Sequence, residues 1–118
     1  MKISILGLAA ALVVGALTTA QVARAEYPEK PVHLIVPAAP GGAADSNARV
    51  MATELGKRLG QPVVIENKPG ASGAIGMDAV AKAAPDGYVI GSNNLATFIV
   101  GTLTAKQLPY RVDQDFTP

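Results

Sequence analysis

Short apolar runs alternate along this chain with stretches whose apolar residues recur every three or four positions, and glycine-rich segments separate them. Val32-His33-Leu34-Ile35-Val36 lies between Pro31 and Pro37 and is mostly apolar, as a buried parallel strand is. A loop from Ala38 to Ala44 follows, centred on Pro40-Gly41-Gly42. Asp45 is placed to cap the next helix, where Ala48, Met51, Ala52, Leu55 and Leu59 share one face and Asn47, Glu54, Lys57 and Arg58 the other. Gly60 stands where a helix C-terminus takes a left-handed residue. Val63-Val64-Ile65 then predicts a second strand, Asn67 to Gly73 a second glycine-rich loop, and Ala74 to Ala84 a helix stopped by Pro85-Asp86-Gly87. Tyr88-Val89-Ile90-Gly91 predicts a third strand, Ser92-Asn93-Asn94 a polar loop, and Leu95 to Leu103 a third helix. Leu108 to Pro118 reads as an irregular connection. Strands alternating with helices imply an α/β fold: βαβ units on a parallel sheet, with right-handed crossovers. Ligands of such sheets bind beyond the C-terminal ends of the strands, so the segments that matter are 38–45, 67–74 and 92–95.

The first 25 residues follow a different pattern. Met1-Lys2 is a short positive start, Ile3 to Ala20 carries no charge, and Ala23-Arg24-Ala25 is the small-x-small pattern cut by signal peptidase. The run approaches the length of a membrane anchor, but Gly, Ser, Thr and Ala dilute its apolar character and the cleavage pattern is well placed. A signal peptide over 1–25 is therefore expected, with Glu26 the first mature residue and the periplasm the destination. No direct membrane insertion is expected after cleavage. The absence of Cys removes disulfides, thiolate metal sites, a cysteine nucleophile and a lipoprotein-type anchor together.

Composition narrows the function classes. Hydrophobic residues make up 49% of the chain and aromatics 4%, which suits an aliphatic α/β core. The formal charge is +1, and with Lys2 and Arg24 removed 8 basic residues stand against 9 acidic ones, a net of −1. Such a chain has no basic footprint for nucleic acid, so no nucleic-acid partner is expected.

The loops themselves suggest anion chemistry. Helix N-termini present unpaired N–H groups and the positive end of the macrodipole, and glycine lets a ligand approach them. Two such loops side by side can hold a small anion without Arg or Lys, although the same glycines also suit plain tight turns. Sharper motifs fail. No Lys-Ser or Lys-Thr follows the glycines as a phosphate-binding loop requires, and Gly70, Gly73 and Gly76 are not spaced as a dinucleotide fingerprint. Ser72 would need glycine at position 74 to form a nucleophile elbow, and Ala74 is there. One imidazole, His33, makes no multi-histidine metal site and is expected at a half-exposed strand position. Asp78 and Lys82 are spaced as a surface pair. No catalytic residue, metal or cofactor is called for.

At these loops the sequence resembles a known family. Tyr27-Pro28-x-x-Pro31 leading into a Val-Ile strand, Pro40-Gly41-Gly42-x-x-Asp45, Leu59-Gly60-Gln61-Pro62-Val63-Val64, Asn67-Lys68-Pro69-Gly70-Ala71-x-Gly73, Pro85-Asp86-Gly87-Tyr88, Leu108-Pro109-Tyr110 and Asp115-Phe116 are similar, in this order, to the Bug family. These are extracytoplasmic receptors of tripartite tricarboxylate transporters. The resemblance implies a two-lobed periplasmic binding protein, type II-like, that closes on a di- or tricarboxylate, an amino acid or a related acid. It implies that Gly42, Ala43, Ala44 and Asp45, then Ala71, Ser72 and Gly73, hold the ligand's carboxylate through backbone N–H groups and ordered water, with Ser92 and Asn93 joining from the third loop. Its partners would be the small carboxylate and the transporter's membrane components. Ala38 departs from the family, which usually has an aromatic residue there. Residues 26–118 are expected to be the N-terminal lobe of the solute-binding domain, with the second lobe missing. Two rivals stay open from the residues alone: an α/β enzyme binding a nucleotide through the same loops, and a ligand-sensing adaptor.

Overall fold

The structure, a computed structural model, describes residues 26–93, 103 and 108–118. The expected signal peptide, Asn94 and, apart from residue 103, the expected third helix lie outside the described residues. Three parallel strands form the sheet: β1 (Val32–Val36), β2 (Val63–Asn67) and β3 (Val89–Gly91), in the order β2-β1-β3. Helix α1 (Ala43–Leu59) connects β1 to β2, and a 3₁₀ turn (Ala71–Gly73) running into α2 (Ala74–Ala81) connects β2 to β3. β1 is central because it alone is apolar enough to be covered on both faces: Val32, Leu34, Ile35 and Val36 are all buried.

The pleat divides the side chains between two faces. Leu34 pairs with Ile65 and with Ile90, and Leu34 and Val36 pack with Ala48 and Ala52 of α1. The opposite face is met by α2, whose Met77 and Val80 border Gly91. Tyr110 is also buried, and its ring meets Phe116 edge-on at 5.3 Å. Burial pushes the Tyr110 phenol upward in pKa, helped by the negative charge of Asp78. Within the connection 108–118, a turn closes through Asp115 N–H donating to the Arg111 carbonyl at 2.9 Å.

Several expected boundaries move. α1 begins at Ala43 with Gly42 as its cap residue in extended conformation, so Asp45 is not the N-cap. Asp45 sits in the first turn instead, where its charge still opposes the positive helix end, and Lys57 and Arg58 occupy the last turn. Gly60 is the left-handed C-cap, φ 68°, its N–H donating to the Gly56 carbonyl. β2 runs two residues further than its apolar core, because Glu66 and Asn67 keep register with Ile35 and Val36. α2 stops at Ala81 and not Ala84: Ala83 N–H reaches the Val80 carbonyl at 3.1 Å, a tightened last turn before Pro85. Met51 is 44% exposed despite its helical spacing.

Candidate ligand-binding site

All three strands end at the same edge of the sheet, and there the connecting segments gather. The ladder runs past each strand: Lys68 N–H donates to the Val36 carbonyl at 2.8 Å and Ser92 N–H to the Ile35 carbonyl at 2.9 Å. The chain leaves β1 for β2 through one helix and crosses back to β3 through another on the opposite face, so the order reverses at β1. In open α/β sheets such a reversal is where ligands bind, beyond the strand ends.

The first segment presents Gly42, Ala43 and Ala44, all exposed, ahead of buried Asp45. No side chain caps α1, and Ser46 N–H is the first to turn inward, to the Gly42 carbonyl at 2.9 Å. The amides before it in the helix keep the orientation of unpaired donors. The second segment is bent sharply. Ala71 and Ser72 take φ of 47° and 53°, and Gly73 follows at 90°. For residues bearing a Cβ the left-handed region costs on the order of 1–2 kcal/mol each, so this bend is held against a local preference. Ala71 and Ser72 are exposed and Gly73 is buried at the start of α2. Ser92 and Asn93, half-buried, follow β3 at the same edge. Among the described residues no group of three or more His, Asp or Glu side chains is placed to hold a metal ion, and no helix is long and apolar enough to cross a membrane.

Asp45 holds this edge together. Its Oδ2 accepts from Gly41 N–H at 2.9 Å and from Arg49 Nε at 2.9 Å, and its Oδ1 from Arg49 Nη2 at 3.1 Å and Asn67 Nδ2 at 3.0 Å. Asn67 Nδ2 also donates to the Ala38 carbonyl at 3.1 Å. Four donors fill the four acceptor positions of a carboxylate, so the Asp45 side chain is engaged within this edge, while its backbone N–H stays among the first-turn amides ahead of Ser46. The Arg49 guanidinium first, then Gly41 N–H and the Asn67 amide, lower the Asp45 carboxyl from its ordinary 3.8 to about 2. Sequence spacing placed Asp45 here but missed Arg49 and Asn67. The i, i+4 spacing of Asp45 and Arg49 was the available signal.

A pH prediction follows from the lowered carboxyl. The folded state binds the Asp45 proton less readily than the unfolded chain, so this stabilisation is complete above about pH 4 and disappears as pH falls through about 2. Glu66, lowered chiefly by its hydrogen bond with His33, acts in the same direction. Thermal unfolding followed between about pH 5 and pH 2 should show the melting temperature falling, with a shallower fall in Asp45→Asn. Parallel curves for the two proteins would disprove the role given to Asp45. His33 itself lies on the other face, half-exposed as expected, with Nδ1 2.6 Å from Glu66 Oε1. Lys82 and Asp78 form the expected pair at 2.7 Å.

A parallel sheet with amide-bearing turns collected at its C-terminal edge is the arrangement in which open α/β folds place their ligand sites. Residues 47–118 match the tripartite tricarboxylate transporter family receptor, TctC, and the chain belongs to that family of periplasmic receptors. It is 47% identical over 93 residues to protein BugT of Bordetella pertussis, an alignment covering 78% of this chain and 28% of BugT. Among solved structures it resembles MatC of Rhodopseudomonas palustris with bound malate at 44% identity and a TM-score of 0.71, covering 78% of this chain and 31% of that one. A second R. palustris protein, solved with adipate, matches at 42% identity and a TM-score of 0.53 over 55% of this chain and 22% of that one. The chain thus spans less than a third of the length of these relatives.

Proposed function

We propose that this chain is the N-terminal wall of a periplasmic receptor that captures a small carboxylate for a tripartite tricarboxylate-type secondary transporter, without catalysing a reaction. The supporting observation is the uncapped start of α1 beside the left-handed turn at Ala71–Gly73, both at the C-terminal edge of one parallel sheet. Gly42, Ala43, Ala44 and Asp45 with Ala71 and Ser72 supply backbone donors to one carboxylate, Gly73 shapes the second turn by donating its own N–H to the Gly70 carbonyl at 2.9 Å, and Ser92 and Asn93 border the ligand. The Asp45 carboxylate supports these donors from behind. Relatives seen with malate and adipate agree with an acidic ligand. Export through residues 1–25, with Glu26 as the mature N-terminus, and delivery to the transporter's membrane components complete the reading.

The expected affinity of this wall follows from its parts. Two helix N-termini contribute about 0.3–1 kcal/mol each, and a few hydrogen bonds about 0.5–1.5 kcal/mol each. A sum near 4 kcal/mol corresponds to a dissociation constant of about 1 mM. The test expresses the chain with its leader, establishes Glu26 as the N-terminus of the periplasmic product by mass spectrometry, and titrates it with malate, the neutral malamide and adenosine monophosphate while following amide resonances. Malate alone should move Ala43, Ala44 and Gly73. Shifts from the nucleotide and none from malate would favour a nucleotide-binding enzyme and end the receptor reading.

A further inference from the structure

We propose that Asn67 is the positioning residue of the two amide clusters: from the end of β2 its side-chain amide ties the Ala38 carbonyl and the Asp45 carboxylate to the root of the second loop, and so sets the separation at which one carboxylate meets both. This inference rests on the receptor reading above and assigns a role to a residue that touches no ligand.

The geometry carries it in three ways. Asn67 lies on the α1 face of the sheet, in register with Val36, so its side chain points toward the first turn of α1 and away from His33 and Glu66. Its two neighbours at hydrogen-bond distance are a carbonyl oxygen at 3.1 Å and a carboxylate oxygen at 3.0 Å. Both are acceptors, which fixes the amide with its nitrogen toward them and uses both of its protons. Finally, it connects three separate pieces of backbone. Ala38 belongs to the segment leaving β1, Asp45 to α1, and Asn67 immediately precedes Lys68-Pro69-Gly70, which leads into the Ala71–Gly73 turn. Because Asp45 also accepts from Gly41 N–H at 2.9 Å, a displacement of Asn67 reaches the residue just ahead of the exposed amides. Arg49 supplies the opposite charge, so the Asp45 carboxylate is neutralised within the network and does not repel an anion arriving nearby.

Asparagine is specified by this arrangement more tightly than its size requires. Aspartate has the same shape but offers two acceptors to two acceptors and adds a second negative charge beside Asp45. Serine keeps one donor and loses reach. The variants Asn67→Asp, Asn67→Ser and the exchanged pair Asp45→Asn with Asn67→Asp therefore separate hydrogen-bond polarity from packing.

The test has a ligand-free arm and a malate arm. In nitrogen–proton correlation spectra of the unliganded chain, Asn67→Asp and Asn67→Ser should shift the amides of Gly41, Ala43 and Gly73 together, while Gly87 and Tyr88 at the far end of the sheet stay in place. The exchanged pair, which restores a donor facing a carboxylate, should return Gly41 toward its original position. Malate affinity should fall about tenfold in Asn67→Asp, the size expected for one lost charge-assisted hydrogen bond, and recover in part in the exchanged pair. Asn67→Ser covers the case in which the aspartate variant does not fold. Unmoved Gly41 and Ala43 amides in a folded variant would overturn the proposal. So would recovery in neither arm by the exchanged pair. If the wild-type chain ignores malate while the loop amides still move together, the receptor reading fails and the positioning role stands.

Discussion

Leu34→Ala should lower the free energy of unfolding by about 2–5 kcal/mol, toward the upper end of that range. Leu34 is 1% exposed in the central strand, between Ile65 and Ile90 in register, and α1 meets it through Ala48 and Ala52. Those two alanines let the helix lie close to the sheet, and for the same reason they cannot extend into a vacated space. The cavity would persist, and its volume adds to the lost transfer free energy. Leu34→Met conserves volume and should cost less than about 1.5 kcal/mol. Urea denaturation of the three proteins measures the difference. An alanine variant within about 1 kcal/mol of wild type would mean that α1 collapses onto the sheet, contrary to the packing described.

The strength of that core and the legibility of the fold have a common source. β1 is a run of apolar residues between two prolines, and a run of that kind has few places to go except the middle of a parallel sheet. Ala48 and Ala52 on the inner face of α1 and the glycine at its C-cap were equally plain, whereas Met51 shares their spacing and is exposed. Boundaries were harder wherever a polar residue serves in a regular element. Glu66 and Asn67 carry no strand signal of their own, and they extend β2 because the backbone of β1 is there to pair with them. Asp45 has the composition of a cap, but the bend that starts α1 is made earlier, at Gly41 with φ 83° and the extended Gly42. Its carboxylate then turns to donors from three directions, one of them 22 positions along the chain. Local periodicity cannot report such a contact. The loop segments were legible as loops from their glycines, whereas the left-handed Ala71 and Ser72 were not, since nothing in their side chains favours that conformation.

Gly76→Val should be the most damaging change at the rim of the site, and Gly76→Ala its informative milder form. Alanine in place of glycine within a helix ordinarily gains about 1 kcal/mol. At this position a Cβ would lie 2.8 Å from Pro37 Cβ and 2.9 Å from both Pro37 Cα and the Lys68 carbonyl oxygen. Neither neighbour can yield cheaply. Pro37 has a fixed ring and follows directly on β1, and Lys68 is held by its N–H bond to the Val36 carbonyl. Overpacking of this kind costs about 1–3 kcal/mol, so the clash exceeds the helix gain and Gly76→Ala should destabilise. Valine adds two more methyl groups and a stiff χ1 and should cost more than alanine. The consequence reaches beyond stability, because Pro37 and Lys68 are the roots of the two segments that carry the proposed donors. Pushing them apart should move the Ala43 and Gly73 amides in the same spectra and weaken malate binding in step with the lost stability. Urea denaturation and malate titration of the alanine variant decide the matter: a protein as stable as wild type, binding malate equally well, would show that α2 can shift outward and that the close approach at Gly76 plays no part in setting the loops.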